Sequence, residues 1–165
     1  MRGVTTAWSA DGPDGRRATG RALLAGLGAE DVTALRPSCG GAHGRVSTAS
    51  GHASVAHADG VTVVAFSPDR PVGVDLERAD ARTPGATVRR RTRIEAVRKA
   101  DGCRPGIAAE RIRFTGDGRA VLDGVVYDLE PIPVDGFIAT LARARAVPAT
   151  TAVGPRILPH PRRPR

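Results

Sequence analysis

Asp75 and Glu77 stand two residues apart in the apolar run PVGVDLER, residues 71–78. In an extended strand alternate side chains share a face, so both carboxylates point one way while Val72, Val74 and Leu76 point into a core. Neighbouring carboxylates repel each other unless positive charge sits between them. A hard divalent cation meets that need, because Mg²⁺ is held by one or two carboxylates together with substrate phosphates. A strand end with one solvated face is the alternative. Further along, RRRTRIEAVRKADG sets Glu95 and Lys99 at i and i+4, on one face of a helix. That spacing suits a surface ion pair, or a third metal carboxylate beside a phosphate-binding ammonium. The loop CGGAHGRV offers backbone amides and Arg45, both suited to a phosphate, and reads equally well as an ordinary connection. His57 ends an apolar strand, a place where a histidine more often satisfies itself at an edge than binds a ligand. Cys39, His43, His52 and His57 match the spacing of no common zinc site and offer a single thiolate, which sets zinc aside.

These residues need elements to hold them. Residues 1–15 are rich in Gly, Asp and Ser and read as a loose N-terminus. RRATGRALLAGLG (16–28) reads as a helix with Ala18, Ala22, Leu23 and Leu27 on one side and Gly28 as its stop. The glycines of 36–51 predict a long loop. HASVAHA (52–58) and VTVVAFS (61–67) are strands joined by the turn Asp59-Gly60, and PVGVDLE follows as another. A basic helix spans roughly 88–101 and ends at Gly102. ERIRFTGDGRAVLDGVVYDLE reads as a meander turning at 116–118 and 123–124. GFIATLARA (136–144) is a last strand or a short helix. The pattern is α+β, in two halves (16–80 and 81–145), each a helix followed by antiparallel strands. Residues 146–165 form a disordered basic tail.

The 165 residues carry a net charge of +8, with 41% hydrophobic and 3% aromatic residues. A pI near 11.2 points to an acidic partner: a nucleotide, a nucleic acid or an acidic protein. Two cysteines, Cys39 and Cys103, give no disulfide framework, and no apolar segment is long enough for a bilayer. A soluble, cytoplasmic protein is expected.

Taken in order, CGGAHGRV, HASVAHADG, PVGVDLE and RIEAVRKADG resemble the 4′-phosphopantetheinyl transferase superfamily, of the type that activates surfactin-like synthetases in secondary metabolite biosynthesis. That family has a Cys-Gly…His-Gly-Lys/Arg-Pro loop and a Ser-Val-Ser-His-Ser/Ala strand. A Gly-Val-Asp-Val/Ile-Glu strand and a Trp-x-x-Lys-Glu-Ala-x-x-Lys helix follow. The resemblance covers roughly 16–145, with YDLEPIPVDGFIATLA in the place of the closing strands. It implies a 4′-phosphopantetheinyl transferase-like fold of two similar halves, each a helix packed on a small antiparallel sheet. It implies Mg²⁺ held by Asp75, Glu77 and Glu95, in a cleft between the halves, with coenzyme A as co-substrate. Glu95 would also be the catalytic base and Lys99 would sit at the reacting phosphates. Arg45, His57 and Lys99 would contact coenzyme A. The partner is an acyl or peptidyl carrier protein, with no membrane and no nucleic acid involved.

Departures from the family pattern fall on the helix, the histidine strand and the loop. Arg91 stands in place of its tryptophan and Ile94 in place of its first lysine, while Ala56 and Val46 replace the usual serine and proline. Only 17 residues separate Glu77 from Glu95, fewer than in the family. Arg91 and Arg98 flank Ile94 at i−3 and i+4, where either could restore positive charge on that face, although arginine is not a like-for-like replacement for lysine. Two other function classes fit the sequence. One is a decayed homologue that binds coenzyme A or a carrier protein without turnover. The other is a basic nucleic-acid-binding module, favoured by the arginines at 89–93 and 162–165 but lacking an aromatic stacking platform.

Overall fold

Strand β4 (His52–Ala58) turns back through Asp59 and Gly60 into β5 (Val61–Ser67), with Ala58 opposite Val61. Both turn residues have positive φ, 43° and 77°, the geometry of the two-residue type I′ turn that Asp-Gly favours. The hairpin therefore forms where its sequence places it. A computed structural model of the chain describes residues 3–34, 46–79, 82–102, 108–116 and 118–146. Around the hairpin stand β1 (Thr5–Ala10), helix α1 (Arg16–Gly26), and the two-residue strands β2 (Thr33–Ala34) and β3 (Val46–Ser47). These strands build a first antiparallel sheet in the order β1-β5-β4-β3-β2.

The second sheet starts at β6 (Val72–Arg78). Helix α2 (Gly85–Ala100) follows, then a short 3₁₀ turn (Ala109–Arg111) and β7 (Arg113–Thr115), β8 (Arg119–Leu122), β9 (Val125–Ile132) and β10 (Phe137–Ala144). Its order is β6-β10-β9-β8-β7, all antiparallel. Residues 137–144 are thus a strand and not a helix. The fold is α+β: two antiparallel sheets, each carrying one helix.

Three apolar clusters tie the layers together. Leu24 of α1 packs on Val64 and Phe66 of the first sheet. Ile94, Ala96 and Val97 of α2 pack on Ala120, Leu122 and Tyr127 of the second. Between the sheets, Ala56, Val63 and Ala65 meet Val72, Val74, Leu76 and Leu141. That middle core makes the two sheets interdependent, since neither buries its inner face alone.

Several expectations need correction. The N-terminus is not loose throughout, because Thr5–Ala10 pairs with β5 from Thr5↔Phe66 to Ala10↔Val61. The buried face of α1 is Gly20 and Leu24, with Leu23 and Leu27 partly buried; Ala18 and Ala22 are exposed. Helix α2 begins at Gly85, three residues before the expected start. Strand β6, expected in the N-terminal half, belongs to the second sheet beside β10. Of the expected basic tail, residues 147–165 lie outside the described residues. Among the described residues no helix is long and apolar enough to cross a membrane.

Candidate active site

Strand β6 alternates as its pattern requires. Val72, Val74 and Leu76 enter the core between the sheets, while Gly73, Asp75 and Glu77 face α2. Gly73 lets the helix come close: a Cβ there would lie 2.1 Å from the Ala96 carbonyl oxygen and 2.5 Å from the Ala100 nitrogen. This approach brings the C-terminal turns of α2 down onto the strand and sets Lys99 beside Asp75. Lys99 Nζ donates to Asp75 Oδ1 at 2.8 Å and to the Val74 carbonyl at 2.9 Å. As β6 is an edge strand, its outward backbone groups need partners. Lys99 serves the Val74 carbonyl and Ser54 Oγ accepts from the Val74 N–H at 3.0 Å.

The carboxylates differ in their surroundings. Asp75 is the most enclosed, with 13% of its side chain exposed against 28% for Glu77 and 42% for Glu95. Burial pushes its carboxyl above the ordinary range. The Lys99 ammonium and its hydrogen bond oppose that shift, and the charges of Glu95 and Glu77 add to it. Each glutamate has its own cation: Arg91 Nη2 lies 2.7 Å from Glu77 Oε2, and Arg98 Nη1 lies 2.6 Å from Glu95 Oε1. The surface-pair alternative for Glu95 and Lys99 is replaced by these contacts, since Lys99 reaches the more enclosed Asp75 instead. Among the described residues, no three Asp, Glu, His or Cys side chains are grouped to hold a metal ion.

Neither arginine flanking Ile94 brings its charge to that position. Ile94 is 5% exposed and packs in the α2 core with Val97, Ile112, Leu122 and Tyr127. Arg91 and Arg98 turn from it to Glu77 and Glu95, so neither substitutes for a lysine at that position. Arg91, where the resemblance would place a tryptophan, ties the helix to the strand.

A cavity of about 250 Å³ opens between the sheets, lined by Ser47, Gly51, His52 and Pro71 on one side and Lys99 and Ala100 on the other. Of the expected site residues among those described, Lys99 lines it, and Asp75, Glu77, Glu95 and His57 do not. A second groove, about 350 Å³, runs past Arg89 and Arg93 to Thr115, Glu130 and Pro131. Arg93 also stacks on Phe114, 4.6 Å from the ring centre. Arg45, Cys39 and His43 lie outside the described residues.

His57 stands on the α1 face of the first sheet. Its Nδ1 is 2.7 Å from Thr62 Oγ1, and Thr62 in turn donates to Asp11 Oδ1. Burial pushes the imidazole below its ordinary value; Asp11 opposes this, and Arg16 and Lys99 reinforce it. Asp11 and Thr62 escaped the sequence reading. Asp11 sits in a segment read as loose, and Thr62 reads only as a strand residue. No protein-family model matches the chain, and no curated protein matches it.

Proposed function

We propose that this chain is a 4′-phosphopantetheinyl transferase with the fold of that superfamily, moving phosphopantetheine from coenzyme A to a serine of an acyl or peptidyl carrier protein. The observation that carries the reading is the enclosed Asp75 of β6 in direct contact with Lys99 of α2. Both glutamates lie within electrostatic reach of an enclosed Asp75 that Lys99 contacts directly. An enclosed carboxylate whose proton affinity burial raises, within reach of two other acids, is suited to a cation-dependent site.

In the reaction, the carrier serine oxygen attacks the β-phosphorus of the coenzyme. A new P–O bond forms, the bond to the bridging oxygen breaks, and 3′,5′-ADP departs with the electron pair. Lys99 lines the cavity between the sheets, where its ammonium meets charge developing on phosphoryl oxygens. Glu95, the most exposed of the three acids, takes the serine proton once Arg98 releases it. No three of these acids are grouped among the described residues, so holding Mg²⁺ at Asp75, Glu77 and Glu95 would require Lys99, Arg91 and Arg98 to yield their carboxylates. When bound, the ion would neutralise charge on the pyrophosphate. His57, on the α1 face of the first sheet and outside the lining of that cavity, would contact a coenzyme phosphate. Arg89 and Arg93, along the second groove, suit the acidic helices of a carrier protein.

A second reading has its own support. The buried Ile94 leaves the helix without a charge at that position, and all three acids already have cations. A protein that binds coenzyme A without transferring it would look the same. Calorimetry of coenzyme A tests the metal assignment. The proposal expects weak binding in chelator and binding at least about tenfold tighter with Mg²⁺; equal affinity in both would remove the metal role.

A further inference from the structure

A chain of hydrogen bonds leads into the core from His57. Asp11 is fixed by its own backbone, whose N–H donates to the Gly60 carbonyl at 2.7 Å, and the Gly12 N–H donates to Thr19 Oγ1 at 3.1 Å. Its carboxylate accepts from the hydroxyl of Thr62, which is fully buried. A hydroxyl has one proton to give. Thr62 gives it to Asp11, because an ionised carboxylate can only accept, so the contact with His57 must run the other way. His57 Nδ1 donates and Thr62 Oγ1 accepts. The tautomer follows: the proton is on Nδ1 and Nε2 carries the lone pair. Among the described residues, no side chain or backbone group pairs with Nε2.

The ring is also boxed in sterically. A Cβ built on Gly20 of α1 would lie 3.8 Å from His57 Cε1, so the helix backbone covers one side. The charged groups whose fields reach the ring come from three segments: Asp11 before α1, Arg16 at its start, and Lys99 from α2; the β5 group bonded to it is the neutral Thr62. Burial first, and Arg16 and Lys99 after it, keep a proton off the ring in the free protein, while Asp11 opposes them.

We propose that Asp11 is a positioning residue: acting through the buried Thr62 hydroxyl, it holds His57 protonated on Nδ1 and so makes Nε2 the nitrogen that takes up a proton as a ligand phosphate arrives. This rests on the reading of His57 as a coenzyme A phosphate contact, and it adds a proton to the binding equilibrium. The free ring, held below its ordinary value of 6.5, is neutral at neutral pH. A phosphate brought to Nε2 favours the imidazolium, and Asp11 shares the added charge through Thr62.

Ring-nitrogen NMR of the ligand-free protein, with His57 assigned by comparison with His57→Gln, reads the tautomer directly. Wild type and Thr62→Ser, which keeps the hydroxyl, should show the Nδ1–H form. The near-isosteric Thr62→Val should shift to the Nε2–H form that predominates in free histidine. Coenzyme A calorimetry near pH 6.5 in two buffers of different ionisation enthalpy should then show proton uptake by wild type. Asp11→Asn should move that uptake to lower pH and weaken binding roughly tenfold at neutral pH, with the gap closing on acidification. A wild-type ring in the Nε2–H form, or one unaffected by Thr62→Val, would overturn the relay. The same weakening by Asp11→Asn at every pH would overturn the coupling and reduce Asp11 to a structural contact. The Nδ1–H form in a protein that binds no coenzyme A would overturn the coupling and the transferase reading together, and leave the relay standing.

Discussion

Asp75 is held under opposing demands: enclosure raises its proton affinity, Lys99 lowers it, and Glu95 and Glu77 raise it again. A residue kept for stability alone would not need two further acids beside it. Asp75→Asn removes the charge that burial disfavours and leaves Lys99 its bond to the Val74 carbonyl. The variant should keep its stability within about 1 kcal/mol of wild type, or gain, while losing phosphopantetheine transfer. Urea midpoints and a transfer assay check the two halves of that statement; a large loss of stability would mean the Asp75–Lys99 pair serves the fold. His57 gives a pH dependence of definite sign. Its folded proton affinity is below that of the unfolded chain, so the unfolded state binds the extra proton as pH falls through 6.5. The contribution to stability is complete above that pH and is lost below it. Urea midpoints of wild type should therefore fall faster than those of His57→Gln on acidification from neutral pH.

Between β6 and α2, everything depends on how closely helix and strand approach. Gly73→Ala would drive a methyl into the α2 backbone and should cost about 3 kcal/mol by urea denaturation, with transfer lost as Lys99 moves off Asp75. Ile94→Lys puts an unpaired ammonium into the α2 core and should cost about 3–5 kcal/mol without improving transfer. Much of this element level was legible in the sequence. The period-two pattern of β6 announced which residues face inward, and Asp59-Gly60 announced the hairpin. Strand β1 was missed because an edge strand with one exposed face carries little apolar signal and forms mainly through its pairing with β5. The α1 face was misjudged because alanine tolerates either environment, while Gly20 is buried for lack of a side chain. Local spacing coupled Glu95 to Lys99, whereas the tertiary fold offers Lys99 a more enclosed partner. The same limit hid Ile94, whose neighbours at i−3 and i+4 find their carboxylates elsewhere.

Across the whole molecule, the shared core between the sheets brings segments distant in the chain to one seam. Lys99 from the second half reaches the cavity edged by Ser47 and His52 of the first, and its charge is felt at His57. A coenzyme bound between the sheets would touch both halves, and the exposed arginines of α2 at 89–91 add to an overall charge of +8 that favours an acidic macromolecule. The central claim is group transfer, and it is tested most directly by incubating the protein with fluorescently tagged coenzyme A, Mg²⁺ and several apo carrier domains. The account predicts covalent label on the carrier serine of at least one domain, absent in chelator, absent with Asp75→Asn, and absent when that serine is replaced by alanine. A protein that binds coenzyme A yet labels none of the domains, with Mg²⁺ present, would contradict it and leave the non-catalytic reading in its place.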